Sequence, residues 1–266
     1  MCIRDRSNTV LLITTDHQSL TVKVNDKIIY KFSTVNVSDF GNYFGRSWNL
    51  VEIPENRAGE KIEIIAESMT GSHLLSLDNF FFGNRSSVIF RILTENIGLA
   101  VFCSVTLILG VIFLASALYH AVKKQRFNCP GFLYMGTFLI LSSIWVLTDS
   151  NLLQFITSNP AWVYILSFFS FTLMPVPMIL YIKSICINKY KFLDFLCLTN
   201  IFLFFINLIL YIFSIKELYQ TLLSIHILIV ITILYSIFIM LKEKIVNVQK
   251  WLSGDLPPFL YFHLYH

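Results

Sequence analysis

Charged residues are scarce in this chain: they make up 14% of its 266 residues, whereas a soluble domain usually carries about 25%. Cysteines are also few, and of the five only Cys2 precedes residue 97. The first third of the chain therefore cannot be a small scaffold held together by its own disulfides. No CxxC pair and no Cys/His cluster has the spacing of a metal site, so we expect no metal.

Catalytic signatures are absent as well. The sequence has no glycine-rich phosphate loop, no HExxH, no nucleophile elbow and no kinase-type motif set. We therefore expect no catalytic residues, no enzymatic activity and no cofactor. The formal net charge of +4 does not indicate nucleic-acid binding, because the basic residues cluster beside apolar segments, where membrane topology requires them.

Long apolar runs are what the chain does contain. Hydrophobic residues make up 56% of it and the mean hydropathy is +0.68. Five runs stand out, at 97–119, 131–148, 161–182, 192–215 and 219–241. Each is about as long as a helix that crosses a ~30 Å hydrocarbon core. We predict a membrane protein with an α-helical transmembrane bundle over residues 97–250.

The basic residues between these runs lie almost entirely on one side of the predicted bundle. Loops two and four contain only Lys216. Loops one, three and five contain Lys123, Lys124, Arg126, Lys183, Lys189, Lys191, Lys242, Lys244 and Lys250. The positive-inside rule places those three loops in the cytoplasm. The protein is then a multi-pass protein of the cell membrane, and everything before residue 97 lies outside the cell.

Residues 8–92 have the pattern of short strands. The segment 20–24 alternates with period two, Asn25 and Asp26 supply turn chemistry, and 28–30 resumes a strand, which together predict a hairpin. Further strand-like segments lie at 10–13, 61–65 and 77–82, and a loop bracketed by Gly41 and Gly45 leads to Trp48. About five strands predict a partial extracytoplasmic all-β domain, a jelly-roll-like sandwich.

The two ends of the chain do not fit this organisation. Residues 1–7 begin with MCIRDR, lack the features of a secretory signal, and are similar to translated sequencing-adapter DNA. We expect them to be a non-native start. Residues 251–266 we expect to be a truncated or out-of-frame tail.

Two residues are candidates for a functional role. Trp48 is a candidate ligand-binding residue, because aromatic faces stack on sugars, with a core aromatic of the sandwich as the alternative. His226 lies about two turns into the fifth apolar run, and an ionisable residue at that depth is a functional candidate. It would respond to pH or hydrogen-bond to Asn200 or Asn207; the alternative is a polar contact that joins helices.

Two further features concern the bundle itself. Pro175 and Pro177 predict a kink in the third apolar run, which serves either as a hinge or as an ordinary packing device. Asp149 closes the second run at its outer end, where water can solvate it.

Several local strings resemble a family of bacterial receptors. They are VKVNDKIIY at 22–30, GRSW at 45–48, VEIP at 51–54, FFFG at 80–83, WVLTDS at 145–150 and MPVP at 174–177. The chain is similar to receptors with an extracellular jelly-roll sensor, seven transmembrane helices and an intracellular signalling module. It most resembles the membrane-bound GGDEF diguanylate cyclases of clostridial-type bacteria. The resemblance covers about residues 9–250.

That resemblance implies a sensory membrane receptor that binds a small extracellular ligand, such as a carbohydrate, and relays the signal to a cytoplasmic output domain. Its implied partners are the lipid bilayer and that ligand, with a homodimer left open. The sequence departs from the family in having five clear spans instead of seven and no GGDEF motif, so no catalytic residue carries over.

Two other functions remain as alternatives. A transporter or channel component would usually show inverted repeats and broken helices with polar sites at the midplane of the membrane. The sequence shows no internal repeat and its apolar runs carry few charges, which disfavours this alternative. A membrane-embedded enzyme would need two converging ionisable groups at depth, whereas His226 stands nearly alone.

Overall fold

The computed structural model describes residues 9–16, 18–33, 46–54, 59–68, 78–123, 130–150, 152–157, 160–186, 188–213, 215–216 and 218–253. The predicted non-native start at 1–7 and the tail beyond residue 253 lie outside these residues. The chain divides into two compact units. The first comprises Met1–Ile108 with Ser142–Ser170, and the second Leu109–Leu141 with Phe171–His266.

The described part of the first unit contains six β-strands in two antiparallel sheets. The strands are β1 Thr9–Asp16, β2 Gln18–Val24, β3 Lys27–Phe32, β4 Arg46–Glu52, β5 Ile62–Ser68 and β6 Asp78–Asn84. One sheet has the order β4-β1-β6 and the other β3-β2-β5. Asn25 and Asp26 join β2 to β3 with φ of 45° and 65°, as a type I′ turn requires, which confirms the predicted hairpin.

The sequence did not predict β4, the strand that carries Trp48. Its side chains alternate between buried and partly buried positions, but two of the buried ones are polar, Ser47 and Asn49. The period-two pattern of hydrophobicity on which strand prediction depends is therefore hidden.

An apolar core joins the two sheets. Leu11 and Ile13 of β1 pack with Leu20 and Val22 of β2 and with Val51 of β4. Since side chains alternate across a strand, these residues occupy the inner faces of a two-layer arrangement.

A buried polar network joins the same two sheets at one side. The Asn49 side chain is 1% exposed and its Nδ2 donates to Thr15 Oγ1 at 2.9 Å. From the other sheet, the Tyr30 hydroxyl donates to Asn49 Oδ1 at 3.0 Å. Burial raises the pKa of the Tyr30 phenol, so the group stays protonated and able to donate. Buried polar groups satisfied in this way fix one arrangement of the two sheets.

Among the described residues, six α-helices follow the sheets. They are α1 Arg85–Val122, α2 Pro130–Asp149, α3 Pro160–Leu173, α4 Pro175–Ile185, α5 Lys191–Ile212 and α6 Leu222–Ser253. In the described part of the chain, five helical segments are long and apolar enough to cross a membrane, by length and composition. Helices α3 and α4 together form one of them, Trp162–Ile185.

The helix boundaries differ from those of the apolar runs at the two ends of the set. Helix α1 begins at Arg85, twelve residues before the first run and inside the segment 8–92 predicted as sandwich. Helix α6 begins at Leu222 and continues to Ser253, beyond the predicted end at 241. A hydropathy pattern detects only the apolar middle of each helix and misses the polar turns at its ends.

The third span is interrupted between Leu173 and Pro175. Met174 keeps helical dihedrals, with φ −55° and ψ −36°. Pro175 and Pro177 have no N–H to donate to the preceding turn, so the ladder of helical hydrogen bonds is broken there. The break falls where the sequence predicts a kink.

Two glycines bring α1 and α2 close together within the second unit. A Cβ on Gly136 would lie 2.9 Å from the carbonyl oxygen of Gly110 and 3.0 Å from the backbone nitrogen of Leu114. A Cβ on Gly110 would lie 2.8 Å from Ile140 Cγ1. Small residues that let backbones approach are typical of helix contacts in membranes.

We expect Gly136→Ala to destabilise the full-length protein by about 1–3 kcal/mol, because the new methyl group meets backbone atoms that cannot move aside easily. Thermal unfolding of the chain in detergent or nanodiscs measures this. The matched control is Gly98→Ala, also within α1, where an added Cβ meets nothing within 4 Å. That change should be neutral or stabilising by up to about 1 kcal/mol. Equal unfolding temperatures for the two variants would contradict the close approach of the helices.

Candidate functional site

Strand β6 continues into helix α1 with no linker between them. Asn84 is the last residue of β6 and Arg85 the first of α1. The Asn84 Oδ1 atom accepts a hydrogen bond from the Ser86 N–H at 3.3 Å, as an N-cap residue does. The cap lets a helix start directly at the end of a strand, so the position of β6 sets the position of the beginning of α1.

The outer face of the first sheet packs on the beginning of α1. Leu12 of β1 forms a buried cluster with Val88 and Ile92 of the helix, and Trp48 and Phe81 pack beside them. Strand β1 is thus covered on both faces, by the second sheet and by α1. This explains why residues 10–13 form a continuous apolar run instead of an alternating one.

A single glutamine on the connection from α2 to α3 binds the edge strand of the same sheet. Gln154 Oε1 accepts a hydrogen bond from the Trp48 backbone N–H at 3.0 Å. Its Nε2 donates to the Arg46 carbonyl oxygen at 3.1 Å. The side-chain amide pairs with β4 as the peptide group of a neighbouring strand would, and so satisfies part of an exposed sheet edge. The Phe155 ring lies 5.7 Å from the Trp48 ring, measured between centroids.

A cavity of about 350 Å³ lies between the sheet, α1 and the end of α2, all within the first unit. Its charged lining consists of Arg46, Arg91, Glu95 and Asp149. Trp48 also faces this cavity. Two cations, two anions and an aromatic ring around a small volume make it a candidate binding site.

The position of Arg91 in this cavity is set by two contacts. Its Nε donates to Glu95 Oε1 at 2.7 Å, one helical turn away. Its guanidinium carbon lies 4.4 Å from the centre of the Phe81 ring, which adds a cation–π contact. The Arg91 and Glu95 side chains are 48% and 57% exposed, so dissolved molecules can reach both.

The sequence predicts Trp48 either as a ligand-binding residue or as a core aromatic of the sandwich. It is half-buried and lies on the face of the sheet that meets α1, outside the cluster that joins the two sheets. It therefore is not a core aromatic between the sheets. It does line the cavity, so its ligand-binding role stays a prediction with a definite location.

His226 lies on an exposed face of α6. Its Nδ1 lies 2.7 Å from the carbonyl oxygen of Leu222; since a carbonyl only accepts, Nδ1 carries the proton. The Phe171 ring is 5.2 Å away. The structure shows neither of the predicted hydrogen bonds from His226. Asn200 Nδ2 donates to the Leu196 carbonyl oxygen at 2.8 Å and to Thr232 Oγ1 at 3.4 Å, and Asn207 Nδ2 has no hydrogen-bond partner among the described residues. Nothing in these contacts assigns a function to His226.

A buried carboxylate in the second unit escaped the sequence analysis. Glu243 of α6 is 7% exposed. Its Oε1 accepts from the Asn188 backbone N–H at 3.2 Å, from Asn188 Nδ2 at 2.9 Å and from the Tyr190 hydroxyl at 3.0 Å. Burial raises the pKa of the Tyr190 phenol and the bond to Glu243 raises it further. These bonds attach α6 to the connection between α4 and α5.

Replacing Gln154 tests the link between the α2–α3 connection and the sheet. We expect Gln154→Met to speed hydrogen exchange of the Trp48 amide about ten-fold, because that amide loses its acceptor at the sheet edge. Gln154→Glu keeps an acceptor but loses the donor to Arg46, so its effect should be smaller. Exchange of the β4 peptide, followed by mass spectrometry or NMR, measures the rates. An unchanged Trp48 rate in Gln154→Met would contradict the contact.

Comparisons with known proteins leave the family of this chain open: no family model, no curated protein and no solved structure matches it. Among the described residues, no group of three or more His, Cys, Asp or Glu side chains is placed to hold a metal ion.

Proposed function

We propose that this chain is the sensing and membrane-spanning part of a signal-transducing receptor. The two sheets form an extracellular sandwich of jelly-roll type, and the five spans form a multi-pass bundle in the plasma membrane. The observation that supports this best is the direct passage of β6 into α1. A binding event on the sheets would act on a membrane helix without a flexible linker to absorb it.

The exposed surface of the helices supports their placement in a bilayer. On α1, Phe102, Ile108 and Leu118 are 59%, 59% and 62% exposed. Apolar surfaces of this kind are unusual in water and ordinary in contact with lipid. The basic residues of the connections lie almost entirely on one side of the bundle, and the positive-inside rule assigns that side to the cytoplasm.

The relay follows from three contacts at the junction. Asn84 caps the beginning of α1, Leu12 packs on α1, and Gln154 binds the sheet edge from the α2–α3 connection. A ligand shifts the bundle only if it binds one of two arrangements of this junction more tightly than the other. The cytoplasmic output, for which the resemblance suggests a GGDEF diguanylate cyclase, would be carried by a longer chain or by a separate protein.

Cysteine labelling from outside the cell tests this arrangement. In a background with the native cysteines replaced by alanine, we expect Lys27→Cys, in the sandwich hairpin, to react with a membrane-impermeant maleimide in intact cells. Lys189→Cys, its matched partner between α4 and α5, should react only after permeabilisation. Labelling of Lys189→Cys in intact cells, with Lys27→Cys protected, would reverse the topology and refute the receptor.

A transporter is the second candidate, and the interruption at Met174 favours it, because transporters build substrate sites at broken helices. The same labelling separates the two functions. In a transporter that alternates its access, Met174→Cys reacts from either side of the membrane. In the receptor it lies within a closed span and reacts from neither side.

A further inference from the structure

We propose that the cavity between the first sheet and α1 binds a small zwitterion, a molecule that carries both an ammonium group and a carboxylate or phosphate. This deepens the proposed receptor and rests on it, since the cavity lies on the side of the bundle assigned to the outside.

The charge pattern of the lining selects this class of ligand. Arg46 and Arg91 contribute two guanidinium groups, and Glu95 and Asp149 contribute two carboxylates. A simple anion would meet both carboxylates and a simple cation both guanidinium groups. Arg91 and Glu95 are paired with each other through one atom each. A neutral sugar would displace water from their remaining polar atoms and supply no charge of its own, which costs free energy. A ligand with both signs supplies a counterpart to both groups.

Arg91 is placed to receive the anionic group. Phe81 supports one face of its guanidinium and Glu95 holds its Nε. Within the described residues, no hydrogen bond reaches its two Nη atoms. These two atoms form one edge of the planar fork, which suits a carboxylate or phosphate bound through two oxygens.

The ammonium group has a place beside Glu95 in the same cavity. Glu95 uses Oε1 for Arg91, and within the described residues its Oε2 accepts no hydrogen bond. Trp48 adds an indole ring to the lining, the aromatic surface that attracts ammonium and quaternary ammonium groups most strongly. Asp149 completes the negative side.

The volume of the cavity and its position along α1 fit two sources of such a ligand, a small dissolved molecule and a lipid headgroup. About 350 Å³ lies near the lower limit of small-molecule pockets, which span about 300–1,000 Å³, and suits an amino acid or a betaine. Leu99, at the start of the apolar part of α1, also lines the cavity. The headgroup of a zwitterionic phospholipid would carry the same chemistry to the same place.

Thermal unfolding of the full chain in nanodiscs tests the proposal. Nanodiscs of phosphatidylglycerol alone are titrated with the amino acids and with glycine betaine, and with acetate, methylammonium and glucose as single-charge and neutral controls. A second set contains phosphatidylethanolamine. We expect the unfolding temperature to rise by about 2–4 °C with a soluble zwitterion, or with phosphatidylethanolamine if the ligand is a headgroup, and not with the three controls.

Variants locate the effect. We expect Arg91→Gln and Glu95→Gln each to weaken binding about 100-fold, since each leaves one charge of the ligand without its partner. The matched control is Arg85→Gln, on the same helix but outside the cavity, whose partner is Glu52 at 3.0 Å. It should leave the affinity unchanged. The two cavity variants remove charges of opposite sign, so the test does not depend on a single variant that fails to fold.

Three outcomes would overturn the proposal: no shift in either nanodisc set, an equal shift with glucose or acetate, or unchanged affinity in both cavity variants. In the last case the four charges are a structural ion-pair network. Cysteine labelling in intact cells, as described above, keeps the two proposals apart. If the predicted topology is found and no zwitterion binds, the ligand class is wrong while the receptor stands.

Discussion

The absence of a linker between β6 and α1 is the constraint on which the rest of this structure depends. A strand of the first sheet ends at Asn84 and a helix of 38 residues begins at Arg85. The sheet must therefore lie against the helix, and its outer face needs apolar residues where a free sandwich would have polar ones. Leu12 and Phe81 meet that need by packing on Val88 and Ile92. The central strand β1 is consequently buried on both faces.

The same constraint explains where the charges lie. Helix α1 begins with a polar section that contains Arg91 and Glu95, and the remainder of the helix is mostly apolar. Together with Asp149 at the end of α2 and Arg46 on β4, that section surrounds the cavity. The lining of the cavity thus comes from the first sheet, from α1 and from the end of α2.

Local patterns predicted much of the fold from the sequence. The five apolar segments follow from length and hydropathy, the hairpin from Asn25 and Asp26, and the interrupted span from two prolines. Contacts between distant residues could not be predicted in this way. Gln154 is 106 residues from Trp48 and Glu243 is 55 from Asn188, and neither belongs to a motif. The sequence did not predict β4, because two of its buried residues, Ser47 and Asn49, are polar and form hydrogen bonds in the interior.

Insertion of three glycines between Asn84 and Arg85, followed by calorimetry of the full chain in nanodiscs, tests the central claim most directly. If β6 and α1 form one mechanical element, the sheets and the first helix unfold together in the native chain, and the insertion splits that transition in two. The same three glycines placed after Gly59, in an exposed turn with φ +88°, should leave the transition single. A single, unshifted transition after the insertion at Asn84 would show that the sheets do not depend on the helix.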